Sequence, residues 1–174
     1  MALAAVAAIH QGTSICYRGS TTEVAFSCNV GRVSDDIYNL QRVVDAQQPV
    51  YSEVVEELQQ GRKASHWMWF IFPQIAGLGR SEMAQRYAIS SIDEAHTYYL
   101  HPVLGRRLTE CVQLLLSVDG LSAEDILGGI DALKLRSCLT LFFAASGGEA
   151  VFEEALEKYF DSVPDMKTLA AIRS

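Results

Sequence analysis

The sequence predicts an all-α fold: a single compact domain of about eight short and medium helices behind an irregular N-terminal extension. Three observations carry that prediction. From Asp35 onward, apolar residues recur at the three-and-four spacing of a helix face. Capping and stop residues fall at the ends of those runs. No apolar–polar alternation is long enough to demand a sheet.

Ile37, Leu40 and Val44 open the helical pattern, and Tyr51, Val54 or Val55, and Leu58 continue it. Pro49 lies between the two sets and lacks an N–H, so it starts a second helix or kinks one long one. Gly61 supplies a stop, with Arg62 and Lys63 beyond it. Ser65 is placed to cap a helix over the aromatic run that Pro73 ends. That helix would put Trp67, Phe70 and Ile71 on one face and Trp69 with Phe72 on a neighbouring one. A strand here would need cover on both sides. Ser81 caps a short helix through Tyr87, after a tight turn that Gly77 and Gly79 permit.

Ser91-Ile-Asp-Glu94 reads as a capping box, with Ser91 accepting from the first free N–H groups and Glu94 reaching back. Its helix ends near His101-Pro102, because the residue before proline is pushed out of the α region. Pro102 suits the first turn of the next helix, whose buried stripe is Leu104, Leu108, Cys111 or Val112, and Leu115. Asp119-Gly120 stops it. Ser122 caps a short helix closed by Gly128-Gly129. Asp131 is read as the N-cap of a helix over 132–145. Leu133, Leu135, Leu139, Leu141, Phe142 and Phe143 make that helix apolar on more than one side, which places it mid-fold. Gly147-Gly148 breaks it. Val151, Phe152, Ala155, Leu156, Tyr159 and Phe160 form another amphipathic helix, with Glu149, Glu153, Glu154 and Glu157 on its wet side. Pro164-Asp165 opens a last short one.

Composition narrows the function classes. The 174 residues are 49% hydrophobic, enough for a core without disulfides or metal. The net charge of −7 leaves no footprint for duplex nucleic acid, and no apolar stretch is long enough to cross a bilayer as a helix. Residues 1–34 form the extension. They start Ala-rich and continue rich in Ser and Thr, with isolated Arg18 and Arg32 and a single acid, Glu23. That is the composition of an organellar transit peptide, or of a loosely packed tail. The expected location is cytoplasmic or organellar, not secreted. Cys16 and Cys28 lie in the extension, and Cys111 and Cys138 fall in apolar helical patterns, as buried thiols do. A reducing compartment follows.

Lys63-Ala-Ser-His-Trp-Met-Trp-Phe-Ile-Phe-Pro-Gln74 holds both tryptophans of the chain. Aromatic side chains of this size build cores. Flanked by Lys63, Ser65, His66 and Gln74, they could equally wall a pocket for a planar ligand. A buried indole N–H would need a partner.

This motif, followed by Gly77-Leu-Gly79, Tyr87-Ala-Ile89 and His101-Pro-Val-Leu-Gly105, resembles the uncharacterised family known as domain of unknown function 1810. Asp45-Ala-Gln47, Asp131, Lys134-Leu-Arg-Ser137 and Leu139-Thr-Leu-Phe142 follow the same family order. The likeness runs from about residue 38 to residue 172. Val43 departs from the pattern where an aromatic is usual, and Ala132 where an acid is common. The resemblance implies a mainly helical fold and no established activity.

No His-Glu-x-x-His, nucleophile elbow, Walker or dinucleotide signature occurs, so neither a metal nor a cofactor is expected. His66 could act as an acid, base or ligand donor, or simply tie down a helix start. Asp131 could hold a ligand or serve as a cap. Lys134 and Arg136 could hold an anion near a helix start, or form a solvated first turn. Gln47 and Gln74 could bond a ligand amide, or one another across the core. The candidate ligand-binding set is therefore Lys63, Ser65, His66, Trp67, Trp69, Gln74, Asp131 and Lys134. Two function classes stay open: a protein binding a small nucleotide-like or other planar metabolite, and a non-catalytic helical scaffold whose aromatic patch meets a protein partner. An enzymatic version of the first is N-glycosidic hydrolysis of an ADP-ribose-type compound. The order Phe152, Leu156, Tyr159-Phe160, Asp165, Thr168-Leu169 resembles helical N-glycosidases of that kind.

Overall fold

The computed structural model describes residues 36–173. Readings that fall on residues 1–34, Cys16 and Cys28 among them, lie outside the described residues. Ten helices occur among the described residues: α1 (Gln41–Gln47), α2 (Tyr51–Gln59), α3 (Met68–Ile71), α4 (Glu82–Arg86), α5 (Ile92–Leu100), α6 (Leu104–Ser117), α7 (Ala123–Leu127), α8 (Gly129–Ala145), α9 (Ala150–Phe160) and α10 (Met166–Ala171). The only extended pairing among them is an isolated parallel bridge between Ile75 and Ile89. Among the described residues, no helix is long and apolar enough to cross a membrane.

The 17-residue α8 is the central element, packed against α5, α7, α9 and α10. Leu135, Cys138, Leu139, Leu141 and Phe142 are buried around its circumference, as its apolar character requires. Leu133, at 64% exposed, and Ile130, at 76%, are exceptions. The helix also starts earlier than its acid suggests. Gly128, at φ +83°, makes the turn, so α8 begins at Gly129 and Asp131 lies inside the first turn. An acid there still suits the positive end of the helix, and its carboxylate is freed from capping.

The aromatic segment is the largest correction. It forms only the four-residue α3, with Trp67 rather than Ser65 at its N-cap and no side-chain cap. Ser65 instead gives its backbone N–H to Glu57 on α2, at 2.9 Å. The same buried carboxylate accepts Ala64 N–H at 2.8 Å and the Trp67 indole N–H at 2.7 Å. Burial pushes the Glu57 carboxyl up, but the donors of Ala64, Ser65 and Trp67 outweigh it and hold the group below its ordinary value. At the far end of the run, Gln47 Nε2 donates to the Phe70 carbonyl at 2.7 Å. Gln47 Oε1 accepts from Arg107 at 3.2 Å, so Gln47 is satisfied within the core and does not reach Gln74.

Two other ends differ from expectation. Ser91 accepts from Glu94 N–H, but the Glu94 carboxylate turns to the N–H and hydroxyl of Ser90 and to Arg42, not back to Ser91. A complete capping box occurs instead between Ser122 and Asp125. Pro102 stays outside α6; His101 Nδ1 accepts the N–H groups of Val103 and Leu104 and opens the helix from without. The α6 stripe is buried as read, and burial pushes the Cys111 thiol up to about 12, consistent with an inert core thiol. Gly105 lets α6 start hard against the end of α5, since a Cβ there would overlap the Tyr99 carbonyl.

Glu57→Gln preserves shape but turns one acceptor into a donor facing N–H groups. The expected loss is about 2 kcal/mol of unfolding free energy, with Tm lower by roughly 6 °C. Because the folded carboxyl is depressed, its contribution is complete above pH ~4.5 and lost as pH falls through the folded value. Melts between neutral and acid pH should show that acid limb in the native chain and a flatter one in the variant. Gly105→Ala should cost about 3 kcal/mol by forcing α5 and α6 apart, measured by denaturant unfolding.

Candidate functional site

The two tryptophans have opposite surroundings. Trp67 is 1% exposed and its indole N–H is spent on Glu57. Trp69, one residue beyond the start of α3, is half-buried, and its indole N–H makes no hydrogen bond among the described residues. Each ring carries an ammonium group: Lys63 Nζ lies 5.3 Å from the Trp67 ring centre, and Lys134 Nζ 4.8 Å from that of Trp69.

Asp131 holds both lysines. Its Oδ2 is 2.9 Å from Lys63 Nζ and its Oδ1 2.7 Å from Lys134 Nζ, one helical turn further along α8. Burial raises the Asp131 carboxyl, but the hydrogen bonds and charges of Lys134 and Lys63 outweigh it and keep the group below its ordinary value. The Lys63 backbone is fixed as well, its N–H donating to Ile126 O at the end of α7.

Beside Trp69 lies a cavity of about 140 Å³, walled by Phe72, Tyr87 and Ile75 and closed by Gln74, Gly79 and Lys134. The Ile75–Ile89 bridge ties together two chain segments that line it: Ala76 N–H donates to Ile89 O at 2.8 Å, and Ile89 N–H to Gln74 O at 2.9 Å. Tyr87 is held edge-on against Phe70, ring centres 5.4 Å apart. The Gln74 carboxamide makes no hydrogen bond among the described residues. One free amide, one free indole N–H and one ammonium thus border a small aromatic-walled hollow.

Of the eight candidate residues, Trp69, Gln74 and Lys134 line this cavity. Lys63 and Asp131 reach it only through Lys134. Trp67 and Ser65 belong to the Glu57 clamp. His66 is exposed, off the cavity and without a hydrogen bond among the described residues. Arg136 donates to the carbonyls of Val163 and Pro164, tying α8 to the start of α10. Tyr87, Phe72 and Gly79 were not singled out as site residues. Tyr87 stood in the family motif, and Gly79 does more than turn: a Cβ there would overlap that of Ala84, so the loop closes on α4. Among the described residues, no group of three or more His, Cys, Asp or Glu could hold a metal ion.

The fold is similar to that in a crystal structure at 1.38 Å of the conserved hypothetical protein Rv1873 from Mycobacterium tuberculosis. The two share 49% identity at a TM-score of 0.79, over 80% of this chain and 99% of that one. No curated protein matches the chain. The family described as "Protein of unknown function (DUF1810)" matches residues 37–172, which includes the aromatic motif, the cavity loop and all of α8. The chain belongs to the DUF1810 family.

Proposed function

We propose that the chain binds a small planar metabolite, its ring seated beside Trp69. The observation that carries this reading is the Gln74 carboxamide, which borders an aromatic hollow and has no hydrogen-bond partner among the described residues. Such a group fixes a heterocycle's orientation through its edge while Trp69 and Tyr87 supply apolar contact. The volume of about 140 Å³ is close to that of engineered cavities (~150 Å³) that take up benzene, so it fits a single ring. Lys134 adds a cation, and Asp131 sets where that cation stands.

Binding is better supported than hydrolysis. Among the described residues, the cavity lining contains no carboxylate and no histidine. The carboxylate nearest to it along α8, Asp131, is committed to two lysines. Residues behind the glycosidase likeness have structural tasks: Phe152 packs on Phe142 and Tyr99, Tyr159 donates to Leu115 O, and Asp165 caps α10. The scaffold reading has less support because Trp67, Phe70 and Phe72 are buried, so the aromatic run offers a partner little surface.

Titration with single-ring heterocycles, cytosine and nicotinamide as probes, should quench the fluorescence of Trp69. Trp69→Phe should remove the quenching, and Gln74→Ala should weaken binding about tenfold. His66→Ala should leave it unchanged. The absence of any response up to millimolar probe would sink the reading. Asp131→Asn should lower stability by roughly 1 kcal/mol, a value discounted for partial exposure. Since the native carboxyl is depressed, that difference should shrink as pH falls below ~4, as acid-range melts would show.

A further inference from the structure

The cavity continues into a groove of about 350 Å³ that shares Gln74, Gly79 and Lys134 with it and adds Arg136, Ser137 and Lys167. This is a cationic place on an acidic chain. Among the described residues, three cations line the groove against one carboxylate, Asp165, although the whole chain carries −7. That carboxylate is occupied, its Oδ2 accepting from Thr168 N–H at 3.1 Å and from the hydroxyls of Thr168 and Ser137 at 2.6 and 2.9 Å. None of the three cations is paired with it. Arg136 is held in place by two carbonyls, which fix the guanidinium without neutralising it. Lys167 is exposed and makes no ion pair among the described residues. Lys134 shares one carboxylate with Lys63, which leaves an excess positive charge where the groove meets the cavity.

Resting on the ring-binding reading, we infer that the ligand is a phosphorylated single-ring heterocycle, with its ring beside Trp69 and its phosphate between Lys134, Arg136 and Lys167. The geometry divides the work between two adjoining spaces. The hollow is aromatic-walled and sized for one ring; the groove is open, cationic and supplies charged N–H donors of the kind that hold phosphate oxygens. Gln74 borders both spaces and stands where ring and tail join.

The test compares cytidine, cytidine monophosphate and inorganic phosphate on the full chain, read by Trp69 fluorescence and calorimetry. Cytidine monophosphate should bind roughly thirty-fold more tightly than cytidine, and its affinity alone should fall with added salt. Lys167→Glu, on an exposed side chain, should remove most of that advantage and leave cytidine binding intact. Inorganic phosphate should compete with the nucleotide and not with cytidine. Equal binding of nucleoside and nucleotide overturns this inference while the ring reading stands. Failure of both to bind overturns the ring reading itself. A nucleotide advantage that survives Lys167→Glu and is insensitive to salt would overturn the assignment of the phosphate to this groove.

Discussion

A single buried carboxylate decides how the aromatic segment lies. Glu57 projects from α2 into the chain reversal at residues 63–67 and accepts two backbone N–H groups and the Trp67 indole N–H. Each donor would be costly to bury unpaired. With the ring of Trp67 pinned, the one turn of α3 has a single direction open to it. That direction puts Met68, Phe70 and Ile71 inward and leaves Trp69 partly outside. A helix of four residues has no stability of its own. It persists because both ends are held from outside, by Glu57 before it and by Gln47 at the Phe70 carbonyl. The cavity is a consequence of that arrangement.

Asp131 repeats the device at the surface. It draws Lys63, from the clamped reversal, and Lys134, from the central helix, onto one carboxylate, so the two tryptophan-bearing ends of the segment are referenced to α8. The pair of lysines is unequal. Lys63 lies over a ring that is already sealed, whereas Lys134 lies over the ring that borders the hollow. A core restraint is thereby converted into the placement of one cation beside the hollow.

What the sequence disclosed follows from what kind of signal each feature leaves. The stripe of α6, the stops at Gly61 and Asp119-Gly120, the caps Ser81 and Ser122, and the opening of α10 at Pro164-Asp165 were legible because apolar spacing and capping chemistry act within a few residues. The polar clamps act at a distance along the chain, and periodicity is silent about them. Glu57 is one of three acids on α2 and nothing in its spacing sets it apart; only the need of a buried indole N–H for a partner points to such a group. Ser65 and Asp131 carried strong local capping signals that tertiary donors and acceptors overrode. In Asp131's case the freedom of Gly128-Gly129 moved the helix start upstream. His66 sat at the centre of the motif by position, yet its neighbours Ser65 and Trp67 turn inward to Glu57 and leave it outside.

The hollow itself calls for an account, because protein interiors pack to near-crystalline density and an unfilled space forfeits dispersion contacts along its whole lining. Larger side chains are excluded at only part of its lining. Ala76, Ala84 and Ala88 border it along with Gly77 and Gly79. Only Gly79 is explained by crowding, through its approach to Ala84, and Gly77 by its φ of +91°. Larger residues at Ala76, which is exposed, or at Ala88 would shrink the space and bury more apolar surface. Small residues around a half-open aromatic wall, next to an amide and an indole N–H with no partner among the described residues, leave apolar surface that, on the reading proposed above, a seated ring would cover. The same surfaces that leave the core incomplete are therefore those that a planar ligand would complete.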